Sequence, residues 1–168
     1  RVALGQSKMV ARPVAGVMHI LIYVGFVVIN IELLEIVIDG LFGTHRVFAF
    51  LGPLYDVLIG TFEVLAALVV LACVVFFARR NGLAIARFRS PEMGGWPSLD
   101  ANVILVAEVL LMFAFLSMNA ADHIAQTRGL DHYIVAGSFP VSQWLVPLYE
   151  GLTDAGVVAV ERGMWWFH

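Results

Sequence analysis

Residues 53–78 read PLYDVLIGTFEVLAALVVLACVVFFA, with Asp56 and Glu63 as the only charged groups and Arg79-Arg80 directly after them. A membrane-spanning helix needs about 20 mostly apolar residues. This run exceeds that length, and the two arginines end it as a headgroup boundary would. The rest of the chain agrees with it. Of 168 residues, 61% are hydrophobic and 14% are charged, and the mean hydropathy is +0.89. Soluble domains hold roughly 45–50% apolar and about 25% charged residues. One soluble core could not enclose so much apolar side chain. The expected fold is all-α: an integral membrane helical bundle of about four transmembrane helices, forming a single domain over residues 1–168.

Working outward, helix A is expected at 13–38, closed by Asp39-Gly40 and Gly43. Helix C is expected at 99–121, after the turn-rich stretch from Ser90 to Pro97. Asp122 to Ser138 reads as a loop, and Pro140 to Gly151 as an interfacial or re-entrant segment. Helix D is expected at 155–168, continuing beyond His168. The start at Arg1 and the stop after Met164-Trp165-Trp166-Phe167 read as cuts at both ends. No internal repeat is evident. The net charge of -3 and the lack of a basic patch with interleaved aromatics argue against nucleic acid. One cysteine, Cys73, excludes a disulfide framework within the chain and an iron–sulfur cluster held by it alone.

The basic residues set an expected orientation, since positive charge stays on the cytoplasmic side. Arg1, Lys8, Arg12, Arg79, Arg80, Arg87 and Arg89 fall on one side, and Arg46, Arg128 and Arg162 on the other. The amino end of the fragment is therefore expected in the cytoplasm of a bacterial cell, in a multi-pass protein of the inner membrane.

Five histidines in so apolar a chain call for an explanation. His19 lies near the inner end of helix A. His45 follows 26 residues later, about 39 Å if helical throughout, so the two cannot share one metal ion. His168 is expected at the depth of His45, and two imidazoles on different helices at one depth can clamp a haem iron. The partner of His19 would then lie about one bilayer thickness beyond residue 168. The alternatives are hydrogen-bonded interior histidines, proton relays or, for His45, a plain loop residue. His123 and His132, beside Asp122 and Asp131, read as loop or quinone-pocket residues.

Glu32, Glu35 and Asp39 share one face of helix A, and Glu63 and Glu108 lie within the 53–78 helix and helix C. Carboxyl groups in a bilayer mark pathways or paired sites. Glu32 and Glu63 are the deeper ones and the candidates for proton transfer to or from a quinone. Glu35 and Asp39 fit pairing near the headgroups with Arg46 or polar partners. Asn30, Ser117 and Asn119 are candidates for hydrogen bonds between helices. Arg162 can meet a haem propionate by charge pairing.

The run Met18-His19-Ile20-Leu21-Ile22-Tyr23, continuing through Asn30-Ile31-Glu32 to Asp39-Gly40-Leu41-Phe42-Gly43-Thr44-His45-Arg46, resembles the membrane region of bacterial iron–sulfur oxidoreductases related to heterodisulfide reductase. Gly137 to Ser142 and Glu161-Arg162 through His168 share the resemblance, which covers nearly the whole chain. Such proteins begin with a domain similar to the nitrate reductase gamma subunit, a dihaem cytochrome b, followed by a cytoplasmic domain with two four-iron clusters. The resemblance implies two b haems, electron exchange with menaquinone, and His19, His45 and His168 as candidate iron ligands. It places the 4Fe-4S clusters in a domain outside this chain. One departure is the 26-residue gap from His19 to His45, wider than in gamma-type subunits.

The leading expectation is thus a membrane electron-transfer subunit between quinone and a cytoplasmic iron–sulfur domain or subunit, part of a quinone-linked oxidoreductase. The alternatives are a non-catalytic membrane anchor of a larger complex and a proton or solute pathway. The absence of internal repeats and broken helices lowers the pathway reading.

Overall fold

A computed structural model describes residue 27 and residues 30–81 and 96–167. The first part of expected helix A with His19, residues 82–95 and His168 lie outside the described residues. All regular structure among the described residues is helical. Packing divides the chain into two units, Arg1–Phe48 and Ala49–His168.

In the first unit, helix α1 covers residues 30–42. It runs four residues past the expected stop at Ile38, because Asp39 closes the turn after the helix instead of breaking it. The Asp39 carboxylate accepts the main-chain N–H of Arg46 at 2.7 Å and of Val47 at 3.1 Å. Glu35 accepts the N–H of Phe48 at 2.9 Å. A 3-10 helix, Val47–Leu51, follows.

The second unit is built on two long helices, α2 (Pro53–Asn81) and α3 (Trp96–Thr127). Pro53 at the first helical position has no N–H to leave unpaired, and Asp56 sits favourably in the first turn. α3 continues six residues beyond the expected end at 121. Asp122, His123 and Gln126 read as loop because they are polar, yet Ala121, Ile124 and Ala125 between them are buried against Val157. The helix ends by a Schellman closure: Leu130 N–H donates to Ala125 O at 3.2 Å and Gly129 N–H to Gln126 O at 3.1 Å. This needs a left-handed residue, and Gly129 (φ 67°) supplies it.

After a loop come a 3-10 turn, Ser142–Trp144, a single turn α4 (Val146–Tyr149) and helix α5 (Asp154–Phe167). α3 packs against both α2 and α5. Small residues let α5 approach: Ala121 and Ala125 face Val157, with Tyr133 completing the cluster.

Two stretches, Pro53–Ala78 and Leu99–Thr127, are long and apolar enough to cross a membrane, and only 28% of the most apolar window of each is buried. α5, at 14 residues, rises only about 21 Å. Unlike a soluble bundle, the second unit buries polar groups beside its apolar core and leaves large apolar side chains exposed. Glu63, Ser117, Asn119, Gln126 and Ser142 are buried, while Leu68, Leu71, Phe76, Val103, Ile104 and Leu110 are exposed. Polar groups turned inward and apolar ones outward suit a hydrocarbon solvent.

Candidate functional site

The buried polar residues of the second unit gather toward the end where α2 begins and α3 finishes. Glu63 stands ten residues into α2, about 15 Å from its start, and is fully buried. Its Oε1 accepts the Asn119 amide at 3.1 Å and the Ser142 hydroxyl. Its Oε2 accepts the main-chain N–H groups of Val141 at 2.8 Å and Ser142 at 3.0 Å. A carboxylate offers about four lone-pair sites, and four donors meet this one. Glu63 therefore joins α2, α3 and the 3-10 turn at one point.

Other side chains treat the loop 130–142 in the same way. Gln126 donates to Ala136 O at 3.1 Å and accepts Ala136 N–H at 3.2 Å, while its amide also reaches Asp122 at 3.2 Å. Asp56 accepts Gly137 N–H at 2.9 Å. Gly137 has φ 92°, and a Cβ there would lie 3.2 Å from the Phe139 ring, so the position requires glycine. The loop backbone is thus carried by side chains of α2 and α3 in place of water.

On the α5 side, the Tyr133 hydroxyl donates to buried Glu161 at 2.9 Å. Arg162 Nε lies 3.3 Å from the same carboxylate oxygen. Burial, and then the Glu161 charge, push the Tyr133 phenol well above its ordinary value. Tyr149 donates to Ser117 at 3.0 Å. Arg128 gathers the chain before α5, donating to Glu150 O at 2.7 Å and Leu152 O at 2.9 Å and pairing with Asp154 at 2.8 Å.

The sequence-derived site residues therefore fall in different places. Glu63 lies at the centre of the network, and Asn119 and Ser117 do bridge between elements. Glu32 is buried in the first unit, as is Glu35. His45 is half-buried on the turn that Asp39 closes. Arg162 meets Glu161. His123 meets Phe139 at a tilt, with ring centroids 5.2 Å apart, and His132 meets Tyr133 edge-on. His19 and His168 lie outside the described residues. Ser142, Gln126, Tyr133 and Glu161 went unnoticed as bonding residues. Their only local signal is polarity within an apolar neighbourhood, and their partners are far away in sequence.

One groove lies beside the network and another further along α2 and α3. The first, open and of about 410 Å³, is lined by apolar Val57, Val64 and Leu65 and by polar Asp56, Thr61 and Ser138. An apolar one of about 310 Å³ runs between α2 and α3 past Cys73, Phe77 and Leu105. Among the described residues, no group of three His, Cys, Asp or Glu side chains could hold a metal ion. Of the histidines expected as iron ligands, only His45 lies among the described residues, and it stands on the turn after α1 and not within a helix.

Among the described residues, fold and site together define an all-helical protein with two membrane-capable helices and a buried polar network. The chain is similar, at 23% identity over 164 residues covering 98% of it, to the Bacillus subtilis (strain 168) protein "Probable iron-sulfur-binding oxidoreductase FadF". It spans 21% of that relative's length. No protein family matches the chain, and no solved structure does.

Proposed function

We propose that this chain is the membrane electron-transfer domain of a quinone-linked oxidoreductase, exchanging electrons between menaquinone and a cytoplasmic iron–sulfur domain or subunit through b-type haem. The similarity of nearly the whole chain to an iron–sulfur-binding oxidoreductase carries this reading. The exposed apolar side chains and buried polar groups of the second unit support the bilayer as its medium. On this reading the chain would be a nitrate reductase gamma-like dihaem cytochrome b with about four spanning helices. It sits in a bacterial inner membrane as a multi-pass protein, with the amino end of the fragment cytoplasmic.

His19, His45 and His168 are the residues that would hold haem iron, and Arg162 the one that would face a propionate. When bound, haem supplies a one-electron carrier inside the bilayer. The rest is the work of side chains. The groove beside Asp56 and Ser138 has the mixed polar and apolar lining that a quinone head and tail require. Glu32 and Glu63 are the groups proposed to exchange protons with quinone. At Glu63 proton uptake requires one donor to turn away, and the Ser142 hydroxyl and the Asn119 amide are the two that can rotate.

The completeness of the Glu63 network favours a second reading, a non-catalytic anchor in which buried polar groups serve packing alone. Adding a menaquinol analogue to membranes containing the chain separates the two. Reduction of a bound haem supports electron transfer, and a chain isolated without haem from haem-replete cells overturns it.

A further inference from the structure

We infer that the segment 137–149 is a re-entrant wedge in the leaflet where α2 starts and α3 ends, with Trp144 and Leu148 in contact with lipid acyl chains near the headgroup boundary. The inference rests on the bilayer reading and is independent of haem. Gly137 is bonded to Asp56, three residues into α2, and Ser142 to Glu63, ten residues in. The chain therefore descends about 10 Å along α2 over those five residues. It climbs back through α4, and Arg128 at the end of α3 holds Glu150 O and Leu152 O.

Two independent features point to lipid as the occupant of the outer side. The first is chemical composition. Residues 133–149 carry no charged group, and charges resume at once on either side, at Arg128 and Asp131 and at Glu150 and Asp154. The tips of this uncharged run are exposed apolar groups: Val135 at 84%, Trp144 at 80% and Leu148 at 64%. Leu54, Val57 and Val64 near the start of α2 are exposed as well. Tryptophan is favoured at this level of a bilayer.

The second feature is the hydrogen bonding of the backbone. Main-chain N–H groups of Ala136, Gly137, Val141 and Ser142 are all satisfied by side chains of α2 and α3. Irregular backbone at membrane depth persists only where protein supplies its partners. A loop in water would need none of these carboxylate and amide partners.

The test uses the full chain in phospholipid vesicles, with Trp96, Trp165 and Trp166 replaced by Phe so that Trp144 is the single tryptophan. Brominated acyl chains should quench its fluorescence at least twofold more than aqueous iodide at matched concentrations. Full quenching by iodide with none from brominated lipid overturns the inference. So does protection from both, which would mean that a protein covers Trp144. The unsubstituted chain provides a second measurement should the triple variant fail to fold. Carbenes released from acyl chains should label residues 144–148, and labelling confined to a water-soluble carbene reagent contradicts the wedge.

Discussion

Replacing Glu63 with alanine removes the acceptor of two main-chain donors, Val141 N–H and Ser142 N–H, and a partner of the Asn119 amide and Ser142 hydroxyl. The two side-chain donors can turn to other partners, but the two N–H groups are fixed by the 3-10 turn. A buried donor left without an acceptor costs about 1–3 kcal/mol, so the loop should lose about 2–6 kcal/mol against local opening. At 1.4 kcal/mol per tenfold, the lower figure is about a 30-fold rise in the open population. Hydrogen exchange of the purified chain in nanodiscs reads this directly. Amides 141 and 142 should lose at least about 30-fold protection, while the middle of α2 changes little. Glu63→Gln should be milder. Its carbonyl can keep both main-chain donors, while Asn119 flips and the Ser142 hydroxyl rotates to meet the new NH₂ group. If Glu63→Ala leaves the protection of 141 and 142 within threefold of the parent, the carboxylate does not hold the loop and the reasoning fails.

Three further outcomes follow from the same geometry. Arg128→Met should lower stability by about 1–3 kcal/mol, because Glu150 O and Leu152 O lose a charged donor. Asp154→Asn should lower it by under about 1 kcal/mol, because that ion pair is exposed; equal effects in thermal unfolding would contradict this division. Tyr133→Phe removes the bond to buried Glu161 and should cost about 1.5–3 kcal/mol, seen as a lower Tm and faster exchange at the start of α5. The raised phenol of Tyr133 also gives a pH signature. The folded state holds its proton above the pH, about 10, at which the unfolded chain releases it. Its stabilisation is complete below that pH and is lost as pH rises toward the folded value. The parent should therefore lose stability above about pH 10 more steeply than Tyr133→Phe, and parallel curves would refute the assignment.

Long-range hydropathy made α2 readable from its first line, because 26 consecutive residues with two charges admit few alternatives. The last turn and a half of α3 was not readable in that way. Asp122, His123 and Gln126 look like loop residues until the loop they serve is seen beside them. Polarity marked Glu63, Asn119 and Ser117 as buried groups in need of partners. It could not name those partners: Ser142 is 79 residues from Glu63, and Glu161 is 28 residues from Tyr133. Asp39 shows the opposite limit. Its place on the Glu32–Glu35–Asp39 face suggested a partner such as Arg46, and it does meet Arg46, through the main-chain N–H and not the guanidinium.

The most direct measurement is a dithionite-reduced minus oxidised visible spectrum of the detergent-solubilised protein, expressed with enough haem precursor. A sharp α-band that shifts or vanishes in His19→Ala and in His168→Ala is the expected result. A spectrum with no haem bands, from a chain whose circular dichroism is that of a folded helical protein, contradicts the electron-transfer reading.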